Sequence, residues 1–183
     1  MQTQLVRRPV SIRRLDGMAA AANVRTECAG MDLEVGVDDP RAEDVLALMA
    51  IHLAFSRGVT PPEFSFALDS DQLSDPSVTF FSARESGRLV GIAALKRLDD
   101  THAELKSMHI GEAERARGVG RTLVEHIAAF ARQAGYRRVS LETGATDEFV
   151  AARALYAKAG FRPCEAFWQY RDSSFNTFMT KSL

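Results

Sequence analysis

The sequence predicts an α/β chain built around one mixed sheet with helices on both faces. Three observations lead there. The length, 183 residues, is that of one domain. Short stretches of alternating polar and apolar residues recur along the chain. Two periodic helical stretches, each closed by a glycine, interrupt them. Helices that break up a strand-rich chain cover the sheet from both sides, because each has one apolar stripe to bury.

Met31 to Val37 alternates, with Leu33, Val35 and Val37 opposed to Asp32, Glu34 and Gly36, and reads as a strand. Asp38-Asp39-Pro40 starts a helix from about Arg41, in which Val45, Leu46, Met49, Ala50 and Ala54 fall at helical spacing. Gly58 to Pro62 breaks it, and Glu63 to Leu73 holds a short helical piece. Thr79 to Arg84 and Arg88 to Leu98 form two strands about the turn Glu85-Ser86-Gly87, and His102 to Ile110 forms another. Gly118 to Ala134 has the clearest apolar stripe: Val119, Leu123, Val124, Ile127, Phe130, Ala131 and Ala134. It stops at Gly135. Arg138 to Thr143 is a strand and Glu148 to Ala159 a helix closed by Gly160. Ala166 to Arg171 and Asn176 to Lys181 are expected to finish the sheet. Residues 1–30 stand apart: five arginines face only Asp16 and Glu27, and the apolar residues are scattered. They read as a loosely attached extension to a domain over 31–183.

Composition excludes several classes of function. Hydrophobic residues make up 46% and charged residues 26%, enough for one sizeable core. With 23 basic and 24 acidic residues the formal charge is −1, so no overall positive field recruits nucleic acid. No apolar run approaches the roughly 18–20 residues that span a bilayer. Cys28 and Cys164 form at most one bridge, and His52, His102, His109 and His126 lack metal-ligand spacing. The expectation is a cytoplasmic protein with no metal and no nucleic-acid or membrane partner.

The chemistry concentrates in Arg115-Ala116-Arg117-Gly118-Val119-Gly120-Arg121, between a strand and the most amphipathic helix. A helix start carries unpaired N–H groups and the positive end of the macrodipole, and so favours an anion. Gly118 and Gly120 let backbone approach phosphate closely, while Arg115, Arg117 and Arg121 add guanidinium charge. No Gly-Lys-Ser/Thr follows, and position 123 is Leu, so neither a P-loop nor a dinucleotide fingerprint is present. The loop reads as a diphosphate cradle.

The run RARGVGRTL resembles the Arg/Gln-x-x-Gly-x-Gly/Ala acetyl-CoA loop of the GNAT acyltransferase superfamily. ELKSMHI before it, and LETG and ARALYAKAGF after it, extend the resemblance over Ala103 to Phe161. Together with GFRPCEAF and FMTK they are similar to a bacterial subgroup of small acetyltransferases, some labelled as acting on indole-acetic acid. Only fold and reaction class are carried over from that subgroup. The resemblance implies a mostly antiparallel sheet in which strand 103–110 splays from its parallel neighbour 138–143 to admit the pantetheine arm of acetyl-CoA. Backbone at Met108, His109 and Ile110 and the loop Arg115, Ala116, Arg117, Gly118, Val119, Gly120 and Arg121 would hold that cofactor. Tyr156 would point its hydroxyl at the cofactor sulfur and protonate the leaving thiolate.

The reaction needs an uncharged amine and an acceptor for its proton. Glu104, thirteen residues before Arg117, has the spacing of the family's glutamate base. Glu142 shares a strand face with Arg138 and Ser140, and either serves as base or binds the acceptor's ammonium. His109 is a third candidate. His52, Arg57 and Ser65 lie where family members line the acceptor pocket, and Trp168 and Tyr170 would add aromatic walls. Two departures stand out: Phe149 replaces an asparagine found seven residues before the tyrosine, and Gly111-Glu112 replaces the usual proline. The expected activity is acetyl transfer to a small-molecule amine by direct attack; the resemblance also offers, by analogy alone, a homodimer through the last strands, which is common in the family. A protein or peptide acceptor and a silent CoA-binding sensor are the alternatives.

Overall fold

The computed structural model describes residues 24–28, 30–61, 66 and 68–183. Eight strands form one sheet: β1 (Val24–Cys28), β2 (Met31–Val37), β3 (Val78–Glu85), β4 (Arg88–Arg97), β5 (His102–Ile110), β6 (Arg138–Gly144), β7 (Arg162–Cys164) and β8 (Asn176–Ser182). Their spatial order is β1-β2-β3-β4-β5-β6-β8-β7. Every pairing is antiparallel except β5 with β6. Among the described residues four α-helices flank the sheet: α1 (Glu43–Val59), α2 (Ser70–Leu73), α3 (Val119–Gln133) and α4 (Val150–Lys158).

The two faces of the sheet bury separate cores. On one, α3 lays Val119, Leu123, Val124, Ile127, Phe130 and Ala131 against Leu33, Val35, Phe81, Ala93, Leu95, Leu105 and Leu141. At about 1.5–3 kcal/mol for each large apolar side chain fully buried, this is the main stabilising layer. On the other, Val45 and Met49 of α1 meet Leu73, Phe80, Ile92 and Ala94. Both long helices on the first face end as their glycines predict. Gly135 and Gly160 take φ +92, and the N–H groups of Tyr136 and Phe161 reach back to the carbonyls of Ala131 and Tyr156 at 3.0 Å.

Three elements depart from the sequence reading. β1 lies before the expected domain start and pairs with β2 from Val24↔Val35 to Cys28↔Met31, so part of the 1–30 extension belongs to the sheet. The segment 166–171 is a loop, and the strand preceding β8 is instead Arg162–Cys164. Phe167 and Tyr170 are joined across a turn by Tyr170 N–H to the Phe167 carbonyl at 3.1 Å, while Trp168, at φ +56, faces solvent. Spacing by three rather than by two brings both aromatics to the sheet. The helix expected at 148–159 begins with a 3-10 turn, Asp147–Phe149, before α4.

Candidate active site

β5 and β6 run side by side only briefly. Their register pairs His102 with Arg138, Ala103 with Val139 and Glu104 with Ser140, and there it stops, although both strands continue. Beyond Glu104 the register of β5 against β4 slips, between Ile92↔His109 and Ala94↔Lys106, which leaves two residues of β5 opposite Ala93. Ser107 in this bulge has φ +50, and its Oγ accepts the Leu68 N–H at 3.3 Å. The bulge bends β5 away from β6 and opens a splay whose edges carry backbone unpaired across the gap.

Side chains converge on the splay from both faces. Glu104, Lys106 and His109 stand opposite Lys96, Ala94 and Ile92 of β4, which places them on the α1 side. Glu104 is buried, and its Oε1 accepts from both the Tyr170 hydroxyl and Lys106 Nζ, the latter at 3.2 Å. Lys106 Nζ also donates to the Tyr170 hydroxyl oxygen at 2.6 Å. Tyr170 is held by rings on three sides, with Phe66 at 4.8 Å, Phe167 at 5.2 Å and Phe178 at 5.6 Å between centroids. Burial, followed by the charge of Glu104, drives its hydroxyl well above the ordinary phenol range.

Glu142, on β6 opposite Phe178, makes no hydrogen bond among the described residues. Burial pushes its carboxyl up to about 7; Glu104 adds to the rise and Lys106 opposes it. From the opposite face Tyr156 of α4 is buried and sends its hydroxyl to Met108 Sδ at 3.7 Å. A thioether is a weak acceptor, so this hydroxyl is loosely held at the splay. Burial first and Glu142 second keep it protonated. His52 of α1 meets His109 edge to face, with 5.4 Å between ring centroids. Among the described residues its buried Nε2 has no hydrogen-bond partner, and burial with the neighbouring His109 pushes its pKa down to about 4. His109 is also lowered, by burial and then Arg115, so both imidazoles are neutral near pH 7.

The loop leading into α3 has a left-handed residue on either side of Arg117: Ala116 at φ +61 and Gly118 at φ +88. Alternation of this kind turns successive N–H groups into one concavity. Gly118 is the N-cap of α3, and no side chain caps the helix. A cleft of about 550 Å³ opens beside it, walled by Thr26 and Glu27 of β1 with Arg117, Gly118, Arg121 and Thr122. Gly120 serves packing rather than access: a Cβ there would lie 3.1 Å from Leu155 Cδ2 and 3.3 Å from Met108 Cε.

The sequence model of the Acetyltransferase (GNAT) family matches residues 45–161. The chain belongs to the GNAT family. Members of the family are acyltransferases, and two relatives agree in class. The uncharacterized N-acetyltransferase YedL of Escherichia coli is 42% identical over 149 residues, 81% of this chain and 94% of its own length. Its counterpart YsnE of Bacillus subtilis is 39% identical over 151 residues, 82% of this chain and 100% of its own. Among solved structures, the PaiA N-acetyltransferase of Thermoplasma acidophilum in complex with coenzyme A shares the fold. It has a TM-score of 0.66 and 17% identity over 84% of this chain and 100% of its own.

In this GNAT chain the residues expected at the site separate into three groups. Glu104, Glu142, Tyr156, Met108 and His109 meet at the splay, with His52 against His109. Of the loop Arg115 to Arg121, residues Ala116, Arg117, Gly118 and Arg121 line the cleft, and each arginine already has a protein partner. Arg115 Nε reaches the Ile110 carbonyl at 3.4 Å, Arg117 pairs with Glu85 and Glu114, and Arg121 pairs with Glu125 at 2.8 Å. Arg57 is exposed in the last turn of α1, and no hydrogen bond or ion pair joins it to the splay; Ser65 lies outside the described residues. Trp168 faces solvent, so of the two expected aromatic walls only Tyr170 is at the site. Phe149 lies against Gly144, where a Cβ would be 2.2 Å from its ring, and against Phe55 of α1 at 5.4 Å between centroids. Among the described residues no three His, Cys, Asp or Glu side chains are grouped to hold a metal ion, and no helix is long and apolar enough to cross a membrane.

Proposed function

We propose that the chain transfers an acetyl group from acetyl-CoA to the amine of a small molecule, by direct attack with both substrates bound. The observation that carries this reading is the break in pairing after Glu104↔Ser140, with Glu142 and Tyr156 at the gap and the Ala116–Gly118 concavity at the start of α3, whose Gly120 packs close to Met108 of β5. The edge of β5 that faces β6, without pairing past Glu104, suits an extended chain with amides, such as pantetheine, added as one more strand beside Met108 and Ile110. The uncapped N-terminus of α3 and the loop N–H groups suit a diphosphate. The coenzyme A complex of the structural neighbour is consistent with this fit. When bound, acetyl-CoA supplies the acyl group as a thioester, already activated for attack.

The residues of the chain then divide the proton work. Glu142, near half-ionised at neutral pH, takes the proton from the acceptor's nitrogen. Tyr156, held protonated, offers its proton to the departing thiolate, whose ordinary pKa of about 8.5 makes that help useful rather than essential. Glu104 is the charge partner of Lys106 and Tyr170: its Oε1 is engaged by both, so it anchors the floor of the site while Glu142 acts as base. The close-packed rings of Phe66, Phe167, Tyr170 and Phe178 favour a compact acceptor over a peptide. A panel of small amines, amino acids and peptides, followed by release of free thiol from acetyl-CoA, tests the proposal. Turnover with small amines is expected. Turnover with peptides alone would move the assignment to a protein acceptor, and tight coenzyme A binding with no release from any acceptor would make the chain a sensor.

A further inference from the structure

Four charged side chains close a ring beside the anion-binding loop. Arg88 Nη2 meets Glu85 Oε2 at 2.6 Å and Arg88 Nη1 meets Glu114 Oε1 at 2.8 Å. Arg117 Nη2 meets Glu85 Oε1 at 3.1 Å, and Arg117 Nη1 contacts Glu114 Oε2. Each guanidinium touches both carboxylates, each carboxylate touches both guanidiniums, and no atom is used twice. Planar guanidinium forks suit this arrangement, and an ammonium would not reproduce it. The side chain of Glu114 is only 6% exposed, although the ring lies near the surface. The pKa values of Glu114 and Arg88 move apart as mutual pairing requires, Glu114 lowered and Arg88 raised, each chiefly by its hydrogen bond to the other.

The covalent frame shows what the ring does. Glu85 and Arg88 flank the tight turn of the β3–β4 hairpin, where Ser86 and Gly87 take φ +49 and φ +84, a rigid two-residue connection. Glu114 and Arg117 bracket Arg115 and Ala116, and Ala116 holds φ +61, a conformation that residues with a Cβ rarely adopt. The ring therefore ties both ends of a strained segment to a stiff hairpin. A swing of Arg117 toward a ligand would strip a shielded carboxylate of one of its two partners, a costly rearrangement.

We propose that the Glu85–Arg88–Glu114–Arg117 ring preorganises the loop for the donor's diphosphate, and that Arg117 is a positioning residue within it rather than a phosphate ligand. This rests on the loop being the diphosphate site, as proposed above. The test compares wild type with Glu85→Gln, Arg88→Gln, Arg117→Gln and the Arg88→Gln/Arg117→Gln double variant. Its readouts are calorimetric titration with coenzyme A, steady-state kinetics, and amide hydrogen exchange over 115–120 without ligand.

Glu85→Gln and Arg88→Gln should each weaken coenzyme A binding by about three- to tenfold and raise KM for acetyl-CoA alike, leaving kcat unchanged. Exchange at 115–120 should quicken in both. Arg117→Gln should do no more than Arg88→Gln, and the double variant little more than either, because one ring is opened each time. Wild-type affinity and exchange in Glu85→Gln and Arg88→Gln would overturn the proposal. So would an Arg117→Gln loss far exceeding that of Arg88→Gln. If wild type binds no coenzyme A, the functional reading fails instead, and exchange in the ligand-free variants still decides whether the ring orders the loop.

Discussion

Replacing Glu142 with Gln separates two consequences of its burial. The folded chain pushes this carboxyl from 4.5 to about 7, so the folded state binds its proton more tightly than the unfolded state does. Its stability contribution is therefore intact below about pH 4.5, erodes as pH rises, and is at its worst above about 7. At about 1.36 kcal/mol per pKa unit the penalty has an upper bound of about 3 kcal/mol. Glutamine has no charge to desolvate. The variant should match wild type near pH 4.5 in denaturant unfolding and exceed it by about 1–3 kcal/mol at pH 8.5. Activity should move the other way. Loss of a general base costs about 10²–10⁴-fold, and the rise of kcat/KM with pH centred near 7 should vanish. The assay needs an acceptor whose own amine titrates outside that range. A variant no more stable than wild type at pH 8.5, with the same rising limb, would show that Glu142 is not the titrating base and return Glu104 to that role.

Other substitutions probe the rest of the site. Tyr156→Phe should lower kcat for thiol release by about ten- to a hundredfold while leaving coenzyme A affinity within about twofold. A full-rate variant would remove the tyrosine from the reaction. Gly144→Ala places a Cβ 2.2 Å from the Phe149 ring and should cost about 1–3 kcal/mol in denaturant unfolding. The same change made in a Phe149→Ala background should cost clearly less, and an equal cost would show that the ring is not the obstacle. Gly120→Ala crowds the flexible ends of Leu155 and Met108 and meets Ile110 Cγ1 at an ordinary 3.5 Å, and about 1 kcal/mol of gained helix propensity offsets that crowding. Its stability should therefore stay within about 1 kcal/mol of wild type.

Much of this site was legible in the sequence because its parts are local. Alternation marks β5 and β6, an apolar stripe marks α3, and terminal glycines mark the ends of both long helices on that face. The loop between β5 and α3 follows from its glycines and arginines alone. What escaped depends on contacts between distant residues. Tyr170 reaches Glu104 across 66 positions, from a segment whose alternation mimicked a strand. Its burial follows from a three-residue spacing to Phe167 that puts Trp168 outside. The arginines of the loop looked like free charge for phosphate, yet each has a protein partner, supplied for Arg117 in part by Glu85, 32 residues away. Glu104 and Glu142 were equivalent on paper; partners and burial distinguish them. β1 was hidden by the arginine-rich composition around it, although Val24–Cys28 pairs along its full length with β2.

Calorimetric titration of coenzyme A into wild type and into Gly118→Asp asks whether the loop before α3 seats the donor's diphosphate. Gly118 sits at φ +88 as the N-cap of α3, so aspartate there both strains the backbone and sets a negative charge at the proposed diphosphate site. Saturable one-to-one binding by wild type is expected, weakened by at least about a hundredfold in the variant, roughly 2.7 kcal/mol or more. No binding heat from wild type, or equal affinity in the two proteins, would show that this loop does not hold the diphosphate.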